Sequence, residues 1–344
     1  MSLPHDYDDD TGKPGPPAAA LRAQATADRV SPMTFSVVIA AYNAADTLEE
    51  AIRSVLAQTR QDFEVIVVDD GSSDATAAIA GGFSADGRVQ VCSQENAGPS
   101  AARNRGIAAA KGKYVSMLDS DDLWLPDYLE QMGSALDEDP HAGFAYTDAW
   151  VLEDVSGRFL KETTASLRRH PPTPISDEQF IAALLRHNFV HNSVTVRRSV
   201  LEQVGGYKTD LSHGEDYELW LRIAISGFGA VRVAQPLAIY RFREGSLAHD
   251  QAALDRGVRI VYQTVLERHP ASPRVRALAE TRLREMNRRT RRDVSARDRI
   301  RRRLDEATRG ARARWRLQSS PPPRVAEVFP WLGLGSPSSP QSSR

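Results

Sequence analysis

The chain has 344 residues, of which 41% are hydrophobic and 26% are charged, so it is long enough to bury a core in one large domain or two. Its formal net charge is only -1, but fifteen arginines and five acids lie between Arg282 and Arg316. The single cysteine, Cys92, excludes an intramolecular disulfide, and no apolar run approaches the roughly 18 residues of a membrane-spanning helix. The N-terminus lacks the basic and apolar regions of a signal peptide, so we expect a soluble, cytoplasmic protein.

The first half of the chain alternates apolar runs with helical patterns. Residues 1–33 are acidic and then rich in Pro and Ala, which predicts a disordered tail. Four buried strands are predicted, over Phe35–Ala41, Phe63–Val68, Val89–Cys92 and Tyr114–Leu118. Helices are predicted between them, around Leu48–Leu56, Ala75–Ala80 and Ser100–Ala110. This alternation predicts an α/β fold with a mostly parallel central sheet flanked by helices.

The second half is less regular. A helix opened by Trp124 and Pro126 is expected to reach Leu136, and Phe144–Glu153 is expected to form a strand that turns through Ser156–Gly157. Later elements are predicted at Asp177–His187 (helix), Ser193–Arg197 (strand), Tyr217–Ser226 (helix), and Val231–Ala234 and Leu237–Phe242 (strands). We therefore predict one domain over 34–249 with halves 34–126 and 127–249, a basic helical extension over 250–318, and a Pro/Ser-rich disordered tail over 319–344.

The fourth predicted strand runs directly into an acidic turn. Asp119, Ser120, Asp121 and Asp122 follow one another there, and clustered carboxylates repel unless a positive group lies between them. A divalent cation that carries a diphosphate fits, because Mg²⁺ often binds one or two carboxylates together with substrate phosphates. The alternative is an ordinary polar turn in which Asp122 caps the next helix.

Polar residues also follow the first and second strands. Tyr42 and Asn43 come after the first, and Asp69–Asp74 (D-D-G-S-S-D) after the second. The carboxyl ends of neighbouring parallel strands meet in one crevice, where open α/β sheets bind ligands. Tyr42 could stack on a nucleobase and Asp70 could accept from a base or ribose donor, whereas a rim aromatic and turn chemistry are the alternatives.

Several segments together resemble one enzyme family. They are S-V-V-I-A-A-Y-N, V-I-V-V-D-D-G-S-S-D-A-T, N-A-G-P-S-A-A-R-N-R-G and L-D-S-D-D-L-W-L-P, followed by G-G-Y, G-E-D-Y-E-L-W-L-R and a late Y-R. Their order and spacing resemble the family 2 glycosyltransferases of the GT-A nucleotide-diphospho-sugar transferase fold, over about Phe35–Leu247.

The resemblance implies transfer of a sugar, with inversion, from a UDP-, GDP- or dTDP-sugar to a glycan or lipid-linked acceptor, as in polysaccharide or cell-envelope biosynthesis. It implies donor contacts from Tyr42, Asp70, Arg103, Asp119 and Ser120. Asp119–Ser120–Asp121 matches the family's D-x-D motif, with Asp121 as the expected ligand of Mn²⁺ or Mg²⁺ and Asp119 in support. The processive members carry a Q-x-x-R-W type motif and membrane helices that this sequence lacks, which favours addition of one or few sugars.

The resemblance places the general base at Asp216, in Glu215–Asp216. Inverting transfer requires a carboxylate that takes the proton of the acceptor hydroxyl on the face opposite the leaving group. Acids in the first turn of a helix also complement the helix dipole, which is the structural alternative. Glu215 is expected to be structural or on the acceptor side, and His191 and His213 are left outside the catalytic set.

Three rival functions and one region outside the resemblance remain to be considered. A dehydrogenase is disfavoured because no G-x-G-x-x-G follows Val38–Ile39, and a nucleotidyltransferase because Ala40–Ala45 lacks a glycine-rich basic loop. A non-catalytic nucleotide-sugar-binding or scaffold protein is the alternative function.

The Arg-rich segment is either a solvated helix that packs on the domain or a helix attracted to anionic lipid at the inner face of the plasma membrane. Nucleic-acid binding is disfavoured because the Arg-rich segment has almost no aromatic residue apart from Trp315 on which a base could stack.

Overall fold

The computed structural model describes residues 33–153, 158–163, 176–211, 213–242, 251–268 and 273–289. Apart from Met33, the predicted tails over 1–33 and 319–344 lie outside the described residues. So do the turn at Ser156–Gly157 and the Arg-rich sequence after Arg289.

The first half contains four parallel strands and three helices in alternation. The strands are β1 (Phe35–Ala41), β2 (Phe63–Asp69), β3 (Val89–Ser93) and β4 (Tyr114–Asp119). The helices are α1 (Leu48–Leu56), α2 (Thr76–Gly82) and α3 (Pro99–Ala109). The strand order β3-β2-β1-β4 puts β1 between β2 and β4, all of them parallel. The predicted parallel sheet is confirmed here.

The second half extends the same sheet with mixed pairing. Its strands are β5 (Leu123–Trp124), β6 (Ala142–Glu153), β7 (Arg158–Thr163), β8 (Val194–Arg197) and β9 (Gly229–Phe242). Its helices are α4 (Tyr128–Glu138), α5 (Asp177–Leu184), α6 (Arg198–Val204), α7 (Glu215–Ile225), α8 (Gln251–Arg268) and α9 (Pro273–Arg289). The order continues β4-β8-β6-β9-β5, and β8 is antiparallel to both β4 and β6.

Two predicted elements are wrong in detail. Trp124 does not open a helix: it is fully buried in β5, which pairs with β9, and α4 begins only at Tyr128. The two predicted closing strands are one strand, β9, whose pairing with β6 shifts register between Tyr146 and Ala149, opposite Pro236. Proline has no N–H to donate to a ladder, so the strand continues past it only with an irregularity.

The central strand β1 is buried on both faces of the sheet, and its successive apolar side chains point to opposite faces. Phe35, Val37 and Ile39 pack with α1 and α4, whereas Val38 joins the opposite cluster formed by β4, β6, β8 and helices α5 to α9. The extension contributes to this second cluster through Val261 and Tyr262 of α8 and Val275 and Ala279 of α9. In the described part of the chain, no helix is long and apolar enough to span a membrane.

Candidate active site

The polar turns after β1, β2 and β4 lie side by side, as predicted. Ala41 pairs with Asp69, and Ala40 pairs with Asp119, so that the three strands end at the same level. Tyr42 and Asp70 therefore follow neighbouring strand ends, with Ser120 on the other side of β1. Tyr42 is 53% exposed, which leaves its ring at the rim of the crevice.

The turns after β1 and β2 are bound to each other by side chains. The Asn43 Oδ1 atom accepts from the backbone N–H of Ser73 at 2.9 Å, and the Ser72 hydroxyl accepts from the N–H of Asn43 at 3.0 Å. Asn43 adopts a positive φ of 48°, a conformation that asparagine tolerates. Gly71 has φ 72°, and a Cβ there would lie 2.8 Å from the backbone N of Asn96. Only glycine permits this close approach.

Asp70 accepts three hydrogen bonds from the loop before α3. Its carboxylate is 3% exposed and accepts from the Gln94 side chain at 2.7 Å, from the N–H of Ala97 at 3.0 Å and from the N–H of Gly98 at 2.8 Å. These bonds fix the loop that leads into α3. The resemblance implies that Asp70 contacts the donor, and no sequence pattern predicts this second role in the loop.

Arg103 links the two halves of the chain. From α3, its guanidinium donates to Asp119 Oδ1 at 2.8 Å and to Glu215 Oε1 at 2.8 Å. Its side chain is 11% exposed, and that of Glu215 is 13% exposed. Burial alone would lower the pKa of Arg103, but the negative charges of Asp119 and Glu215 outweigh it, so that the pKa is raised. The acidic turn after β4 and the Glu215–Asp216 turn therefore share one cation.

Asp119 is stabilised in its charged form. Burial would raise its pKa, but the charge of Arg103 and a 2.7 Å hydrogen bond from the Asn192 side chain to Oδ1 lower it below the usual carboxyl range. Asn192 precedes β8, the strand that lies against β4. No sequence pattern places β8 beside β4, so this contact of Asn192 could not be predicted from the sequence.

Asp122 does not cap a helix, and that prediction is wrong. It is 2% exposed, and its Oδ1 atom accepts from the backbone N–H of Arg241 in β9 at 3.0 Å. Its Oδ2 atom lies 3.6 Å from Nε2 of His191, a buried residue whose Nδ1 accepts from the N–H of Ser193. Asp122 therefore ties the acidic turn to the second half of the sheet.

Asp216 lies in the first turn of α7, partly exposed. Its Oδ1 atom accepts from the backbone N–H of Tyr217 at 2.6 Å, and its Oδ2 atom accepts from the Asn188 side chain at 3.2 Å.

Side chains of two helices bind the backbone of the segment Gly205–Gly206–Tyr207, which lies before α7 in the chain. Asn104 of α3 bonds both backbone groups of Tyr207, and Arg222 of α7 donates to the carbonyls of Val204, Gly205 and Gly206.

Among the described residues, no group of three or more His, Cys, Asp or Glu side chains is arranged to hold a metal ion. Asp119 Oδ1 is already occupied by two hydrogen bonds, whereas Asp121 is only partly buried at the same turn. A cation here would depend on Asp121 and on ligands from a bound substrate.

Comparison with known proteins shows the family. The profile of glycosyl transferase family 2 matches residues 36–205. The amylovoran biosynthesis glycosyltransferase AmsB of Erwinia amylovora is 32% identical over 219 residues, which cover 60% of this chain and 69% of that protein. The chain belongs to glycosyl transferase family 2. The succinoglycan biosynthesis protein ExoO of Rhizobium meliloti (strain 1021) is 40% identical over 228 residues, and this family 2 chain spans 64% of its length.

Solved structures confirm the fold class. The crystal structure of S. aureus TarS 1-349 in complex with UDP-GlcNAc has a TM-score of 0.58 at 20% identity, covering 74% of this chain and 71% of that one. The mannosyltransferase PcManGT from Pyrobaculum calidifontis, in complex with GDP-Man and Mn²⁺, has a TM-score of 0.55 at 18% identity, covering 77% and 76%. The family 2 chain therefore has the GT-A type α/β fold.

Proposed function

We propose that the protein is an inverting glycosyltransferase that moves a sugar from a nucleotide-diphosphate donor to a glycan or lipid-linked acceptor in polysaccharide biosynthesis. The observation that carries the proposal is the bridge of Arg103 between Asp119 and Glu215. It brings the D-S-D turn of the nucleotide half and the E-D turn of the second half to one place. Relatives named for amylovoran and succinoglycan biosynthesis support the polysaccharide assignment.

In this proposal Asp216 is the general base. The oxygen of the acceptor hydroxyl bonds to the anomeric carbon as the bond from that carbon to the diphosphate breaks, and Asp216 takes the hydroxyl proton. The hydrogen bond from Asn188 orients one carboxylate oxygen, and the backbone N–H of Tyr217 holds the other. Arg103 keeps Asp119 ionised and fixes Glu215 beside the base. No covalent intermediate is required.

A divalent cation fits the turn after β4 if most of its ligands come from the diphosphate and water. Asp121 is the residue that would hold it, and Asp119 would support it through its charge. When bound, such a cation stabilises the charge that develops on the leaving nucleotide diphosphate. The PcManGT complex contains Mn²⁺ and GDP-Man, which supports testing Mn²⁺ first.

Asp216→Asn tests the assignment. Binding of UDP-, GDP- and dTDP-sugars is measured by calorimetry with and without Mn²⁺, and turnover is followed by product mass spectrometry. We expect Asp216→Asn to bind the donor as the wild type does and to lose turnover by about 10³-fold, because only the proton acceptor is removed. Asp177→Asn is the control, since Asp177 pairs with His141 away from the site. If the wild-type protein binds none of the donors, the proposed transferase activity is refuted. If Asp216→Asn turns over as fast as the wild type, only the role of Asp216 as general base is refuted.

A further inference from the structure

Trp150 in β6 is an exposed tryptophan in the second half of the sheet. Its side chain is 37% exposed, whereas Trp124 and Trp220 are fully buried. Within the part of the chain that the structure describes, the Trp150 indole makes no hydrogen bond and no ring contact. A single exposed apolar residue is normal on a protein surface, so the position of Trp150 decides what it can do.

Trp150 points to the face of the sheet on which α7 lies. Along β6, Phe144 and Tyr146 belong to the apolar cluster that includes Trp220 of α7. Ala149 belongs to the opposite cluster, with residues of α1 and α4. Because successive side chains of a strand point to opposite faces, Trp150 shares the face of Phe144 and Tyr146. The proposed general base is carried by the helix on this same face.

Asp216 lies near the level of Tyr146 on that face. Its Oδ2 atom accepts from Asn188 at 3.2 Å, and the next residue, Phe189, packs against Tyr146 with ring centroids 6.0 Å apart. Trp150 follows Tyr146 by four residues, which corresponds to about 13 Å of extended strand. The register shifts of β6 in this stretch shorten that path.

Helix α7 runs along β6 in the opposite direction. A Cβ on Gly143, near the start of β6, would lie 3.0 Å from the Cγ2 atom of Ile223, near the end of α7. The contacts through Asn188 and Phe189 place the beginning of α7 farther along the strand. The first turn of α7, which carries Asp216, is therefore at the end nearer to the exposed indole.

The acidic turn after β4 leads into the same row of residues. Trp150 pairs with Ile239 of β9, and Ile239 pairs with Leu123 of β5, the residue that follows Asp122. Neighbouring strands are about 4.8 Å apart, so the backbones of Leu123 and Trp150 are about 10 Å apart. Leu123 and Ile239 are fully buried, so this row reaches solvent at Trp150.

We propose that Trp150 is an acceptor-binding residue, whose indole stacks on a sugar ring of the acceptor glycan beyond the ring that reacts; this rests on the proposed function. The C–H groups on one face of a sugar ring form an apolar surface, and an indole offers a flat, rigid partner at low entropic cost. Trp150 is too far along the strand from Asp216 to touch the reacting hydroxyl, but a chain of a few sugars spans the distance. The indole therefore favours oligosaccharides over single sugars as acceptors.

The dependence of KM on acceptor length tests this proposal. The acceptors are methyl glycosides and oligosaccharides of two to four units of glucose, galactose and mannose, used with the nucleotide sugar that binds best. We expect the wild type to have a KM about tenfold lower for the longest acceptors than for the methyl glycosides, and Trp150→Ala to remove this difference. Trp150→Phe retains a ring and should keep part of the difference. Donor affinity, measured by calorimetry, should stay unchanged in both variants.

Ile260→Ala is the matched control, because Ile260 of α8 is similarly exposed, at 39%. It should keep the dependence on acceptor length. An equal dependence in wild type and Trp150→Ala would overturn the role of Trp150 while leaving the transferase intact. A wild-type dimer that Trp150→Ala converts to a monomer in light scattering would also overturn it, since a second copy would then cover the indole. Wild-type protein that binds no donor would overturn this role together with the proposed function.

Discussion

Replacement of Arg103 by methionine removes a buried positive charge that joins the turn after β4 to the first turn of α7. Methionine retains much of the apolar stem but neither of the 2.8 Å bonds to Asp119 and Glu215. Two carboxylates would then face each other across a largely buried space with no cation between them. Breaking a buried ion pair by removing one partner costs about 3–5 kcal/mol. Because the Asp119 side chain is 31% exposed and partly hydrated, we expect the lower end, about 3 kcal/mol at pH 7.

The loss should depend on pH with a defined sign. The pKa of Asp119 is lowered in the folded protein, so its stabilisation is complete above the unfolded carboxyl value of about 4 and is lost as the pH falls through the folded value. Arg103→Met removes most of that stabilisation. The difference in unfolding free energy between wild type and variant should therefore be largest near pH 7 and should shrink below about pH 4.

Urea unfolding at pH 7 and pH 3.5, roughly either side of the unfolded carboxyl pKa, measures both effects. The control is Arg53→Met, whose partner Glu49 is 50% exposed in an i,i+4 pair on α1, so its loss should stay near 0.5 kcal/mol or less. A loss of unfolding free energy in Arg103→Met that is no larger than in Arg53→Met at pH 7, or that grows on acidification, would refute the stabilising role of Arg103.

Two further substitutions test how the site is supported. Asp70→Ala strips the acceptor from the N–H groups of Ala97 and Gly98, so we expect a loss of about 2 kcal/mol in urea unfolding as well as weaker nucleotide binding; unchanged stability would show that its bonds to the loop are dispensable. Gly257→Ala would place a Cβ well inside contact distance of the His213 carbonyl, so we expect turnover to fall about tenfold and stability by about 1–3 kcal/mol. Gly81→Ala in α2, where a Cβ meets nothing within 4 Å, is the control and should change neither turnover nor stability unfavourably; equal behaviour of the two glycine variants would contradict this account.

The parallel half of the fold was predictable because β1, β2 and β4 are largely apolar, buried runs and helical patterns alternate with the strands. Burial on both faces forces that pattern on β1, β2 and β4, so composition and periodicity alone reveal them. The second half was harder. The two-residue strand β5 is too short to have a period, and β9 continues past Pro236, where a break is the normal expectation.

The site divides in the same way. Residues that follow parallel strands, such as Tyr42 and Asp119, could be placed because their strand ends must be neighbours. The hydrogen bonds and ion pairs that set the charge state of these residues come from residues far away in sequence, such as Asn192 and Glu215. Local sequence patterns do not predict such partners. Asp122 is an example. Its sequence neighbours predict a helix cap, whereas in the structure its carboxylate contacts the backbone of Arg241 and the ring of His191.

The helical extension contacts the segment that leads into α7. The resemblance to family 2 enzymes ends near Leu247, and residues 250–318 were predicted to form a basic helical extension. In the structure, Gly257 of α8 packs directly against the backbone of His213 and Gly214, where Gly214 adopts φ 77° and begins α7. Asp216, the proposed general base, is two residues further on, so the close approach of α8 positions the first turn of α7 that carries it. A side chain at residue 257 would push the two helices apart, and this requirement explains why a glycine interrupts an otherwise regular helix.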